Sequence, residues 1–221
     1  MKSNSHPKQK LYNNLFTAAN KFIRDGDIPS ALNRAREGFE LGFELNRNEC
    51  AGQYLFCLNK LGRFDEAVKA TDRFAAQAVE TDNYSSLRFD ETILSNALCA
   101  ILSFGPEKAS KGLSLLKKSG RASVKNWRSH FANLDYNPSQ TSLIFNTALI
   151  LLYAGQKTNA LKLLKEVMEH LMFVMDSKNI DAEVIDEFMH LISEIPEFAP
   201  LLEEDIWDEL AETIENNLET T

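Results

Sequence analysis

Glu187 and His190 stand three residues apart, and Glu166 and His170 four apart, spacings that put a carboxylate and an imidazole on one face of a helix. Di-iron helical bundles bind metal through Glu-x-x-His pairs of this kind, but they take two such motifs and further helix-borne carboxylates. Here the motif occurs once, so both pairs read as surface groups of amphipathic helices and no metal site is expected. No Gly-x-Ser-x-Gly elbow, His-Glu-x-x-His helix or Gly-x-x-x-x-Gly-Lys loop is present. The expectation is a non-catalytic chain with no catalytic residue, no cofactor and no metal. Three cysteines are too few and scattered for a disulfide framework. Cys50 and Cys57, seven apart on one helix face, cannot be bridged and read as reduced core or boundary residues.

The elements that carry these residues are helices almost throughout. Apolar residues recur at intervals of three and four, as in Leu161, Leu164, Met168, Leu171 and Met175, and no segment sustains strand alternation. The pattern predicts helices over Lys8 to Asp25, Ile28 to Leu45, Glu49 to Leu61, Asp65 to Glu80, Ser85 to Ser103 and Glu107 to Lys118. Further helices are predicted over Ser123 to Asn133, Ser139 to Ala154, Thr158 to Met175, Ala182 to Glu194 and Leu201 to Leu218. Loops fall at 134–138 and 196–200, where proline interrupts the pattern. Residues 1–10 are polar, without a signal-peptide core, and no apolar run reaches the roughly 18 residues needed to cross a bilayer. A cytoplasmic protein that does not enter a membrane follows as the expectation.

A Gly…Ala signal of fixed spacing lies between helical stretches: Gly26 with Ala31, Gly62 with Ala67, and Gly155 with Ala160. Glycine closes the first helix by taking a left-handed conformation at little cost, and the alanine admits close approach of the second helix. A large residue precedes each glycine by four places, namely Phe22, Leu58 and Leu151, and Ile28 and Phe64 follow the first two glycines by two. Small Ala19 and Ala148 lie seven before the glycine, with Leu55 in that place in the second unit. Gly105 and Ala109 form a fourth unit one residue shorter in the turn, with Pro106 where a first helical turn tolerates proline.

In these residues the chain resembles the tetratricopeptide repeat (TPR) superfamily. The resemblance implies an all-α fold, a TPR-like solenoid of antiparallel helix pairs, irregular in its repeat length and suited to binding a partner. It also implies that the first helix of each pair faces the ligand. That places Asn13, Phe16, Asn20, Ile23 and Arg24 on the first such helix, and Glu49, Gly52, Phe56, Asn59 and Lys60 on the second. Ser142, Phe145, Leu149, Leu152 and Tyr153 follow on a later one. Some members clamp a peptide's C-terminal carboxylates; Asn20 fits one such place, while Phe16 stands where the clamp's first lysine belongs. A mixed polar and aromatic groove is what the resemblance leaves.

Charge is segregated by sign along the chain. Residues 1–178 hold 24 Lys and Arg against 18 Asp and Glu, a net of +6, whereas residues 179–221 hold 14 acids and no base, giving −8 for the whole. Lys108, Lys111, Lys117, Lys118, Arg121, Lys125 and Arg128 form an acid-free basic run with Trp127 and Phe131 among and after them. This run and the acidic end either touch each other, within one molecule or across a dimer, or face separate partners. No zinc module, phosphate loop or aromatic RNA-binding motif accompanies the basic run, so nucleic acid is not the expected partner.

The organisation read from sequence is a flexible leader at 1–7, a helical array at 8–178, and acidic helices at 179–221 packed on the array as a cap. Leu201, Leu202, Ile206, Trp207, Leu210 and Ile214 supply the apolar side of the last helix against Glu203, Glu204, Asp205, Asp208, Glu209, Glu212 and Glu215. Two functions are consistent with this. One is an adaptor or assembly factor holding a protein or peptide in the groove. The other is an inhibitor of the antitoxin or immunity kind, covering a basic enzyme with Glu203, Glu204, Trp207, Asp208 and Glu209.

Overall fold

The computed structural model describes residues 5–80, 90–119, 138–175 and 182–218, and among these no strand occurs. The chain divides into two compact units, Met1–Ser103 and Phe104–Thr221.

The first unit contains α1 (Ser5–Arg24), α2 (Ile28–Leu45), α3 (Glu49–Lys60), α4 (Phe64–Glu80) and α5 (Glu91–Leu102). Each turn predicted from glycine has the predicted backbone: Gly26 and Gly62 lie at φ 76° and 67°. The closing bonds are those of a Schellman motif, which satisfies two carbonyls orphaned at a helix end. Asp27 N donates to Phe22 O at 2.9 Å and Gly26 N to Ile23 O at 3.1 Å; Arg63 N donates to Leu58 O at 2.8 Å and Gly62 N to Asn59 O at 3.0 Å. The large residue four before each glycine is therefore also the residue whose carbonyl the turn captures. Ala31 and Ala67 are fully buried, as close pairing requires. Asp27 caps α2 by accepting from Ser30 N at 3.1 Å, and hydrogen bonding from the Ser30 side chain, with this backbone bond, holds its carboxyl below the usual range.

Helix α2 packs on α1 and α3, and α4 on α3 and α5, while α1 touches α3 and α3 touches α5. The first helices of the pairs thus lie side by side in one layer, with α2 and α4 behind. Between those two, Arg73 forms a bidentate pair with Glu40 at 2.5 and 2.6 Å and lies over the Phe43 ring at 4.6 Å. Buried Tyr12, Leu55, Leu58, Phe74, Leu94 and Leu98 form much of the core.

The second unit begins with a 3-10 turn over Gly105–Lys108 leading into α6 (Ala109–Lys118). It continues with α7 (Pro138–Tyr153), α8 (Lys157–Met175) and α9 (Ala182–Ser193), then a 3-10 turn over Pro196–Leu201 and α10 (Asp205–Leu218). Gly105 and Gly155 also have positive φ, 65° and 75°, and Ala109 and Ala160 are buried. Helix α7 packs on α6 and α8; α9 packs on α7 and α10, and α10 on α8. Ile185, Phe188 and Ile192 of α9, Phe198 of the turn and Leu210 of α10 are nearly or fully buried. Gly112 admits α7 at close range: a Cβ there would lie 3.0 Å from Ile150 Cγ1 and 3.1 Å from Cγ2.

Several boundaries differ from the sequence reading. Helix α1 begins at Ser5, inside the expected leader, because Pro7 in a first turn forfeits no hydrogen bond. The helix expected over Ser85 to Ser103 does not run through Asp90, which is extended (φ −77°, ψ 177°) and caps α5 by accepting from Ile93 N at 2.8 Å. The expected helix from Leu201 starts at Asp205 instead, after a 3-10 turn that contains Pro200. The predicted helix at 123–133 and the loop at 134–137 lie outside the described residues.

Candidate interaction surface

Helix α3 lies between α1 and α5, and polar side chains tie it to both. Gln53, nearly buried, donates from Nε2 to Phe16 O at 3.2 Å, and Asn59 donates from Nδ2 to Asn96 O at 2.8 Å. The opposite amide atoms, Gln53 Oε1 and Asn59 Oδ1, are buried without a hydrogen-bond partner among the described residues. An unmet buried acceptor is costly, so these two atoms are uncommon features of a core seam.

At the start of α3, Glu49 is drawn into the seam. Arg47 Nε donates to Glu49 Oε1 at 3.0 Å and Oε2 at 3.1 Å, its Nη2 also contacts Oε1, and Tyr12 OH donates to Oε2 at 3.0 Å. Arg47 further lies 4.6 Å from the Tyr12 ring centroid and donates from Nη1 to Asn13 Oδ1 at 2.8 Å. Burial alone would push the Glu49 carboxyl up; the bonds from Arg47 and Tyr12 outweigh it and hold the group below its ordinary value. Burial raises the Tyr12 phenol well above its ordinary value. The same cause pushes the Cys50 and Cys57 thiols up to about 11, so both stay protonated at neutral pH, and both are free.

The residues expected to face a ligand divide on this geometry. Asn20 and Phe56 are half-buried and Arg24 and Lys60 exposed, with Lys60 Nζ 5.6 Å from the Phe56 ring centroid. Arg24 and Lys60 occupy the same offset from their glycines and make no ion pair among the described residues. Phe16, Ile23 and Asn59 are half-buried beside them. Asn13 and Glu49 are engaged with Arg47. Gly52 is in the α3–α5 contact, where a Cβ would fall 2.9 Å from Thr92 Cγ2, so it serves packing. In the second unit Phe145 is buried, Leu149 and Leu152 are half-buried, and Ser142 and Tyr153 are exposed.

On α10 and the residues before it, Glu203, Asp208 and Glu209 are exposed and Trp207 is half-buried. Glu204 pairs with Lys165 of α8 at 2.5 Å, which raises the lysine's pKa. Of the basic run, Lys117 and Lys118 are exposed and Lys108 lies 3.1 Å from the Phe104 ring centroid; Arg121, Lys125, Trp127, Arg128 and Phe131 lie outside the described residues. Glu187 and His190 are exposed, and among the described residues no cluster of three potential metal ligands occurs. No described helix is long and apolar enough to cross a membrane.

Sequence reasoning missed Tyr12, Arg47, Gln53 and Asn96, which assemble the seam. The available signal was the polar residues at helical spacing within apolar α3, but their partners are some 37 residues away in sequence.

Two crystal structures of TPR-like repeats, described as those of a kinesin light chain from Podosopora anserina, share this arrangement of helices. One matches at a TM-score of 0.59 and 14% identity, over 97% of this chain and 96% of the other. The second matches at 0.59 and 13% identity over 96% of each. The chain has a TPR-like helical-repeat fold. No protein-family model and no curated protein matches the sequence.

Proposed function

We propose that this TPR-like chain is a non-catalytic adaptor or assembly factor that holds a protein or peptide partner against the layer formed by α1, α3 and α5. The observation that carries this reading is the composition of that layer. Arg24 and Lys60, which make no ion pair among the described residues, stand at equivalent repeat positions beside half-buried Asn20, Phe16 and Phe56, a mixture of donors and aromatic area that packing alone does not require. The setting proposed is cytoplasmic, in keeping with the free thiols of Cys50, Cys57 and Cys99.

Peptides selected from a displayed random library on the intact protein provide the test. Asn20→Ala with Lys60→Ala should weaken the selected peptides about tenfold or more, the effect of losing roughly 1.4 kcal/mol of contact, without loss of thermal stability. Peptides that bind parent and variant equally rule the layer out as the site.

A second reading, in which the acidic helices cover a basic enzyme, draws on exposed Glu203, Asp208 and Glu209 around Trp207. It requires that Glu203→Gln with Asp208→Asn slow association and flatten its salt dependence. An unchanged on-rate removes it.

A further inference from the structure

The first and last described helices carry opposite, unmixed charge. Helix α1 has Lys8, Lys10, Lys21 and Arg24 and no acid; α10 has Asp205, Asp208, Glu209, Glu212 and Glu215 and no base. Of the α1 cations, Lys8 pairs with Glu44 at 2.5 Å, whereas Lys10, Lys21 and Arg24 are exposed and make no ion pair among the described residues.

Helical geometry collects these charges on faces. Lys10, Asn14 and Lys21 fall within about 40° of one another around α1, with Arg24 some 40° beyond Lys10. All four are exposed, while Tyr12, Leu15 and Ala19 on another side are buried in the first unit. On α10, Asp205, Asp208 and Glu212 lie within about 60° of one another. They are exposed, opposite buried Leu210.

We infer that the uncovered basic flank of α1 receives the acidic face of α10 from a second copy of this chain, giving salt-sensitive head-to-tail self-association. Each copy carries one face of each kind, so the same contact can close a small assembly or add further copies in series. Its ion pairs are exposed to solvent, which makes the association weak and strongly screened by salt. This inference is independent of the proposed adaptor surface, since Lys10, Lys21 and the α10 acids are not among the residues assigned to it.

Sedimentation velocity over a wide range of protein concentration tests it on the full chain. At about 0.01 M salt, where the Debye length is about 30 Å, the weight-average mass should rise with concentration, and at about 1 M, where it is about 3 Å, it should fall to the monomer. A basic-to-acidic variant, K10E with K21E, should be monomeric by itself. So should the reverse variant D205K with D208K and E212K.

Mixed together, the two should associate again, because each now offers the charge the other lacks. Charge-neutral variants, K10Q with K21Q and D205N with D208N, repeat the single-variant arms should a reversal unfold the protein, as judged by circular dichroism. A parent protein that stays monomeric at low salt overturns the inference, and so does association that survives the reversals. A mixture that fails to associate while both variants remain folded overturns it equally.

Discussion

Replacing Gly62 tests the turn on which the repeat depends, and the geometry there isolates a single physical cost. A Cβ at Gly62 would meet nothing within 4 Å, so a substitution creates no clash and its whole effect comes from the backbone at φ +67°. Holding an L-residue left-handed costs about 1–2 kcal/mol. Replacing glycine also removes freedom from the unfolded chain, which returns about 0.4–1 kcal/mol. Gly62→Ala should therefore destabilise by about 1 kcal/mol. Gly62→Asn should cost about half as much, since asparagine tolerates this region, as Asn46 does at φ 56° in the same unit. Gly62→Val, β-branched, should cost roughly 2 kcal/mol. Urea denaturation followed by far-UV circular dichroism measures the series. Both tryptophans, Trp127 and Trp207, fall in the second unit, so fluorescence reports on that unit while dichroism reports on all helices. The Gly62 losses should appear as faster hydrogen exchange in α3 and α4. Equal losses for Asn, Ala and Val, or a harmless valine, would refute the backbone argument.

Gly112→Ala should destabilise the second unit by about 1–3 kcal/mol through crowding of fully buried Ile150, and Ile150→Val in the same chain should recover part of that loss. Chemical denaturation of the two single variants and the double variant measures the coupling, and strict additivity would mean the two helices do not meet at this point. Glu49 titrates lower in the folded chain than its ordinary value of 4.5, so its ionised form contributes stability above that pH, and the contribution is lost as pH falls through the depressed value. Glu49→Gln should accordingly give a flatter fall in stability below about pH 4.5 than the parent shows, read from denaturation midpoints against pH. Identical acid limbs would show that the Arg47 and Tyr12 contacts do not persist in solution.

Legibility in the sequence followed the range of the interaction. The turns at Gly26, Gly62 and Gly155 were readable because a left-handed cap is a local demand, met by one residue type and by carbonyls within the preceding turn. Buried Ala31, Ala67 and Ala160 were readable for the same reason, five residues from their glycines. Where the reading failed, the competing signal was also local but subtler: Asp90 interrupts the expected helix with an N-cap bond, and Pro200 helps turn its segment into a 3-10 element. Glu49 was assigned to a ligand-facing surface by offset alone, and nothing near it in sequence revealed that Tyr12, distant in the chain, would engage it.

The sequence alone determined the helical class, the glycine-closed pairing of helices and the segregation of charge, because periodicity, φ preference and composition belong to short stretches of chain. Only the tertiary structure decided which polar residues bridge helices and which do not. Arg24 and Lys60 stand at the same offset as each other, and that offset could not show that both would lack an ionic partner among the described residues. Gln53 and Asn59 look alike as amides within an apolar helix, yet the fold gives each a carbonyl of a different neighbour and leaves the other atom of each amide without a donor among the described residues. Such outcomes depend on the packing distance between helices, which is set by side chains contributed from remote parts of the chain.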